Sequence, residues 1–137
     1  MRHGIPNQDA VIWSPPYGAA ESAATAVADG HGSNRCFRSD TGARIAVEVG
    51  LTLVLEVLGQ AGSGRDAAGL EGLSHRLTEM WTEAVVSHLE GEPFSEQELK
   101  HLEELEGPDA RLEVVEGPAI AYGTTLLLAG ADERGII

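Results

Sequence analysis

At 137 residues and 42% apolar content, the chain is long enough for one domain with a modest, aliphatic core. Its net charge of −13 excludes nucleic acid as a partner, because that needs a basic face. One cysteine leaves no internal disulfide and suits a reducing, cytoplasmic compartment; no stretch reaches transmembrane length, and Met1-Arg2-His3-Gly4-Ile5-Pro6 lacks the apolar run of a signal peptide, so no membrane is expected.

Residues 1–9 read as an irregular entry ending in Asn7-Gln8-Asp9. Ala10 to Trp13 is a short apolar strand, stopped by Ser14-Pro15-Pro16-Tyr17-Gly18, since proline cannot donate to a ladder and the pair favours a turn. Ala23 to Ala28 returns as a second strand, which predicts an antiparallel hairpin. This strand stops at Asp29-Gly30-His31-Gly32. A carboxylate, a main-chain carbonyl and an imidazole then fall in three consecutive positions. The two glycines allow close approach, an arrangement that suits a hard cation or a phosphate.

Ser39 is a candidate N-cap, with Asp40 in the first turn where the helix dipole favours negative charge. From Arg44 to Leu58 only Glu48, Thr52 and Glu56 interrupt the apolar run, and a spacing of four puts them on one helical face. Gly59 is a natural stop, and a glycine-rich connector runs over Gln60 to Asp66. A second helix over Leu70 to Leu89 carries Leu73, Leu77, Met80, Trp81, Ala84, Val85 and His88 at helical spacing. Ser95-Glu96-Gln97-Glu98 is a capping box opening a short helix with Leu99, Leu102 and Leu105 on one face, closed by Gly107-Pro108. The remainder reads as strands, Leu112 to Val115 and Ala119 to Ala129, before Arg134-Gly135-Ile136-Ile137. Strands, then helices, then strands without strict alternation predict an α+β fold with a sheet packed by helices.

Three pieces in a fixed order carry a resemblance: Asn7-Gln8-Asp9, then Val27-Ala28-Asp29-Gly30-His31-Gly32, then, after two long helices, Tyr122-Gly123-Thr124-Thr125-Leu126. Together they are similar to the start of the metal-dependent serine/threonine phosphatases of the protein phosphatase 2C type. The resemblance implies a four-layer α-β-β-α sandwich, with residues 1–137 as a single, C-terminally partial domain lacking the later glycine-aspartate strand and final aspartates. It implies a bacterial-type signalling enzyme with two ions, Mn2+ or Mg2+. Asp9 and Asp29 would be acidic ligands, Asp29 bridging the ions, and Gly30 would ligate through its carbonyl. His31 corresponds to a general acid, and Gly123 and Thr124 to a strand that supports the site. The substrate would be a phosphoserine or phosphothreonine protein. The family's phosphate-holding arginine has Arg2 as a counterpart at unusual spacing, with Arg35 or Arg38 as substitutes.

The chemistry is coherent on its own terms. Two metals about 4 Å apart lower the pKa of a bridging water and hold the ester in line. Mg2+ and Mn2+ prefer oxygen ligands and keep several waters, so few carboxylates suffice. A histidine can protonate the leaving alkoxide. The alternative function is a phosphatase-fold fragment that binds a partner without catalysis, and sheet edges left unpaired would favour a homodimer. Taken alone, Asp29 is an aspartate capping a turn, Asp9 a surface turn residue and His31 a solvated loop histidine. Cys36 lacks the arginine six positions on that a cysteine phosphatase loop needs, since that position is Gly42.

Overall fold

The computed structural model describes residues 7–15, 21–60 and 67–137. Its strands are β1 (Ala10–Ser14), β2 (Ser22–Gly30), β3 (Thr124–Asp132) and the two-residue β4 (Gly135–Ile136). They form one antiparallel sheet in the order β1-β2-β3-β4. The expected hairpin is present, with Ala10 opposite Ala28 and Ser14 opposite Ala24. Pro16 to Gly18 of its turn and Ala61 to Asp66 of the glycine-rich connector lie outside the described residues, as does Arg2.

Helix α1 (Ser39–Gly59) covers one face of the sheet. Strand β2 turns Ala24, Ala26 and Ala28 inward, and α1 meets them with Ala43, Ala46, Val47, Leu51, Val54 and Leu58. Small side chains on the strand let the helix lie close. At Gly50 a Cβ would stand 2.5 Å from Leu128 Cδ2, so the helix touches β3 through a bare backbone. Full burial of side chains such as Val54 and Leu58 contributes about 1.5–3 kcal/mol each. Glu48, Thr52 and Glu56 face solvent, as their spacing predicts.

Helices α2 (Ala67–Gly91), α3 (Glu96–Glu106) and α4 (Pro108–Glu116) build a second cluster. Its buried members are Val85, Leu102, Ala110, Val114, Ala121 and Tyr122. On α2 the expected apolar stripe is the inward one, with Val85 buried and Leu73, Leu77, Met80, Trp81, Ala84 and His88 half-buried. The Ser95–Glu98 capping box forms as expected.

Three expectations are corrected. Residues 112–115 are helical, within α4. Pro108 sits at its first position, Asp109 lies in its first turn, and Ala110 and Val114, four apart, are both fully buried. That buried pair outweighs the strand preference of Val114-Val115. The expected strand over Ala119 to Ala129 begins only at Thr124, because Pro118–Tyr122 forms a 3₁₀ turn that drives Tyr122 into the helical cluster. Ser39 does not cap α1. Arg38 holds the cap position without a side-chain bond, and Ser39 is the first helical residue, fully buried.

The result is a mixed α+β fold: one four-stranded antiparallel sheet and four helices among the described residues. The sheet face away from α1 is open and apolar, with Val11 58%, Trp13 56%, Val27 42% and Leu127 71% exposed. No helix among the described residues is long and apolar enough to cross a membrane.

Candidate functional site

The candidate residues gather at one end of the sheet. Asp29 is the penultimate residue of β2 and, like Val27 two positions earlier, lies on the open face. On one side it pairs with Thr125 of β3. On the other, Ala10 pairs with Ala28, and the same register continued one step past the strand sets Asp9 against Asp29. The approach of this segment is close: a Cβ at Gly30 would lie 2.7 Å from Gln8 Cβ and 2.8 Å from the Gln8 carbonyl oxygen. Asp9 is exposed, and its amide donates to Asn7 Oδ1 at 3.2 Å, fixing the turn into β1. Directly opposed positions in an antiparallel pair place Cβ atoms about 5 Å apart, where two like charges repel. A cation turns that repulsion into attraction.

The loop is held from three sides. Thr124 Oγ1 donates to the Asp29 carbonyl at 2.8 Å, and the His31 amide donates to the Gly123 carbonyl at 3.0 Å. At Gly123 a Cβ would lie 3.0 Å from His31 Cδ2 and 3.0 Å from Cys36 Sγ, so the glycine lets the imidazole and the thiol close around β3. Gly130 exchanges both main-chain bonds with Ile137, and strand alternation along the β2–β3 register turns the main chain of Asp29 toward β3 and that of Gly30 toward β1. Under Gly30, Ser39 Oγ lies 3.0 Å from the position a Cβ would take. The His31 side chain itself is exposed. Gly123 and Thr124 thus support the loop, whereas the position of Ser39 beneath it had no distinguishing signal, since serine before a helix reads first as a cap.

Arg35 and Arg38 are engaged elsewhere. Arg38 Nε and Nη2 grip the Glu98 carboxylate at 2.9 and 3.0 Å; its Nη1 donates to the Glu92 carbonyl and Tyr122 Oη, and Nη2 also to the Pro93 carbonyl. All five guanidinium N–H groups are used. The guanidinium also stacks over the Phe94 and Tyr122 rings, at 4.9 and 5.9 Å. The hydrogen bond from Arg38 pulls the Glu98 carboxyl down to about 2, and Glu98 in turn raises Arg38 well above the ordinary guanidinium range. Arg35 bonds Glu106 at 2.7 Å and also Glu113, and the Glu106 bond raises its pKa. Burial pushes the Cys36 thiol up, against a weaker opposing bond with the Gly123 backbone, which is the reverse of an activated thiolate.

The oxygen donors gathered at this strand end are therefore the Asp9 and Asp29 carboxylates and the neighbouring Gly30 carbonyl. This all-oxygen set fits Mg2+ or Mn2+, which take one or two carboxylates and keep several waters. Among the described residues no group of three or more His, Cys, Asp or Glu side chains comes together.

The protein phosphatase 2C family model matches residues 1–137, the whole of the chain. No curated protein and no solved structure matches it.

Proposed function

The chain belongs to the protein phosphatase 2C family, and from that premise we propose that it is a metal-dependent phosphoprotein phosphatase acting on phosphoserine or phosphothreonine. What supports this reading is the β1–β2 register, which, continued one step past Ala10–Ala28, sets Asp9 against Asp29 at the strand end. Asp9 and Asp29 hold Mn2+ or Mg2+ through their carboxylates and Gly30 through its carbonyl. When bound, the ions supply a hydroxide nucleophile near neutral pH and positive charge for the phosphoryl oxygens.

The rest is the work of the chain's own groups. His31 leaves the strand just after the acidic turn, with its amide tied to Gly123 and its ring exposed, and donates a proton to the departing seryl or threonyl oxygen. Of the three arginines, Arg35 is assigned to the substrate phosphate. It follows the loop, and while Glu106 holds its Nε, its Nη1 partner Glu113 has a side chain 52% exposed, so exchanging that one surface pair for a phosphate costs little. Arg38 is assigned to structure, because every donor it has is in use.

The open sheet face supports the layered part of the reading. Val11, Val27 and Leu127 form an apolar row across three strands. Such a row suits the inner surface of a sandwich, which supports reading residues 1–137 as a single domain contributing one helix-backed sheet to a four-layer α-β-β-α arrangement. A single, buried cysteine supports a reducing, cytoplasmic setting.

The deciding experiment is hydrolysis of an aryl phosphate and of a phosphothreonine peptide with and without Mn2+. Turnover should require the metal and disappear in Asp29→Ala. Turnover that survives both a chelator and that substitution would overturn the assignment.

A further inference from the structure

Ser39 is fully buried, and its hydroxyl is the one buried side-chain polar atom among the described residues with no hydrogen-bond partner. Buried hydroxyls are ordinarily paired, and an exception in a well-packed region calls for a reason. Its location supplies one. Ser39 opens α1, the helix that backs β2, and its Oγ lies 3.0 Å from the point a Gly30 Cβ would occupy. That point is also 2.8 Å from the Gln8 carbonyl oxygen. The side chain therefore sits beneath the Gly30 peptide, on the helix side of the sheet, while Asp9 and Asp29 stand on the open side. It cannot share a ligand with those carboxylates, but it can reach the backbone between them and the helix.

We propose that Ser39 is a positioning residue, whose buried hydroxyl donates to the Gly30 carbonyl when that carbonyl turns to a divalent cation, and so fixes the peptide in its ligating orientation. The inference rests on the reading that Asp29 and Gly30 hold the cation. A carbonyl oxygen has two lone pairs, so accepting from Ser39 leaves one for the metal. The Asp29 carbonyl is already committed to Thr124 Oγ1. The Gly30 main chain faces the β1 side, where no strand hydrogen bonds extend beyond Ala10. Groups that orient metal ligands from behind are worth about 10–100-fold in affinity. The absence of a side chain at Gly30 has the same logic, since any Cβ would collide with both Gln8 and Ser39.

The test is a calorimetric Mn2+ titration with thermal unfolding in the absence of metal, on the full chain and on Ser39→Ala, Ser39→Cys and Asp29→Asn. An unpaired buried hydroxyl contributes nothing in the free protein, so Ser39→Ala should unfold at the wild-type temperature or above it. Its Mn2+ affinity should fall at least tenfold. Ser39→Cys, nearly isosteric but a weak donor, should bind weakly as well. Wild-type affinity in Ser39→Ala overturns the proposal. So does a metal-free unfolding temperature several degrees lower, or failure of both serine variants to fold, since either shows the hydroxyl already bonded in the free protein. Indistinguishable titrations of wild type and Asp29→Asn would instead overturn the underlying metal assignment, and this proposal with it.

Discussion

Gly42 and Tyr122 meet backbone to backbone: a Cβ on Gly42 would stand 1.8 Å from the Tyr122 carbonyl oxygen and 2.7 Å from its carbonyl carbon. This contact locks α1 against the turn that feeds β3, and thereby sets where Gly123 and Thr124 reach the acidic loop. The Gly42 carbonyl also accepts from Trp81 Nε1 at 3.1 Å, which docks α2 at the same point. Gly42→Ala must therefore move the main chain of two elements. We expect it to destabilise the protein by about 3 kcal/mol or more, at the upper end for overpacking, and to lower the unfolding temperature by about 10 °C. Denaturant unfolding measures it. Gly72, where a Cβ would meet nothing within 4 Å, is the control, and Gly72→Ala should be neutral or stabilising.

Glu98 predicts an acid transition. Its carboxyl is held at about 2, first by the hydrogen bond from Arg38 and then by the Ser95 amide and hydroxyl, against an ordinary value of 4.5. A carboxyl depressed on folding contributes stability that is fully present above 4.5 and is lost as pH falls toward 2. The urea midpoint of the wild type should decline through that window. Glu98→Gln should remove this part of the decline, at a cost near pH 7 of about 2 kcal/mol, between exposed and buried ion pairs. The side chains of Arg38 and Glu98 are 12% and 32% exposed, which sets that intermediate figure.

These two cases mark what was legible in the sequence. The polar spacing of Glu48, Thr52 and Glu56, the stripe from Leu73 to His88 and the Ser95–Glu98 box are local signals, and the structure follows all three. The end of β2 at Asp29-Gly30 is legible because an apolar run broken by an acidic residue and a glycine stops a strand, and the structure ends it there. What escaped is non-local. Arg38 lies sixty residues from Glu98, so nothing near it announces that its donors are spent. The helix over 108–116 looks like a strand until Ala110 and Val114 are seen packed with Leu102 and Tyr122. Ser39 reads as a cap because serine gives the same signal one position outside a helix as at its first residue.

Thr124→Val separates support of the loop from simple packing. Valine keeps the β-branched shape and removes only the hydroxyl that donates to the Asp29 carbonyl. The stability cost should be about 1 kcal/mol. If the Asp29 carboxylate is a ligand, the Mn2+-dependent phosphatase rate should fall by about tenfold, as for other groups that orient a metal ligand. Thr124→Ser, which retains the donor, should recover most of the rate. Equal rates in wild type and Thr124→Val would show that the bond holds the strand and leaves the site untouched.

The outer edge of β3 predicts self-association. Gly130 exchanges both main-chain bonds with Ile137, so the alternate residues Leu128, Leu126 and Thr124 turn their N–H groups to the same side, away from β2. Among the described residues β4 and the adjoining Ile137 pair with β3 only at its far end, at Gly130, Ala131 and Asp132. Thr124 to Ala129 carry no charge and no proline, the usual guards of a free edge. A second copy can therefore add here in antiparallel pairing, even against the repulsion of a net −13 charge, which salt screens. Sedimentation should show a mass above 14.4 kDa that rises with protein concentration and with ionic strength. Hydrogen exchange should show the Leu126 and Leu128 amides becoming protected over the same range. The Leu127 amide, which faces β2, should be protected throughout. A monomer at every concentration, with Leu126 and Leu128 exchanging freely, would exclude this edge as the contact.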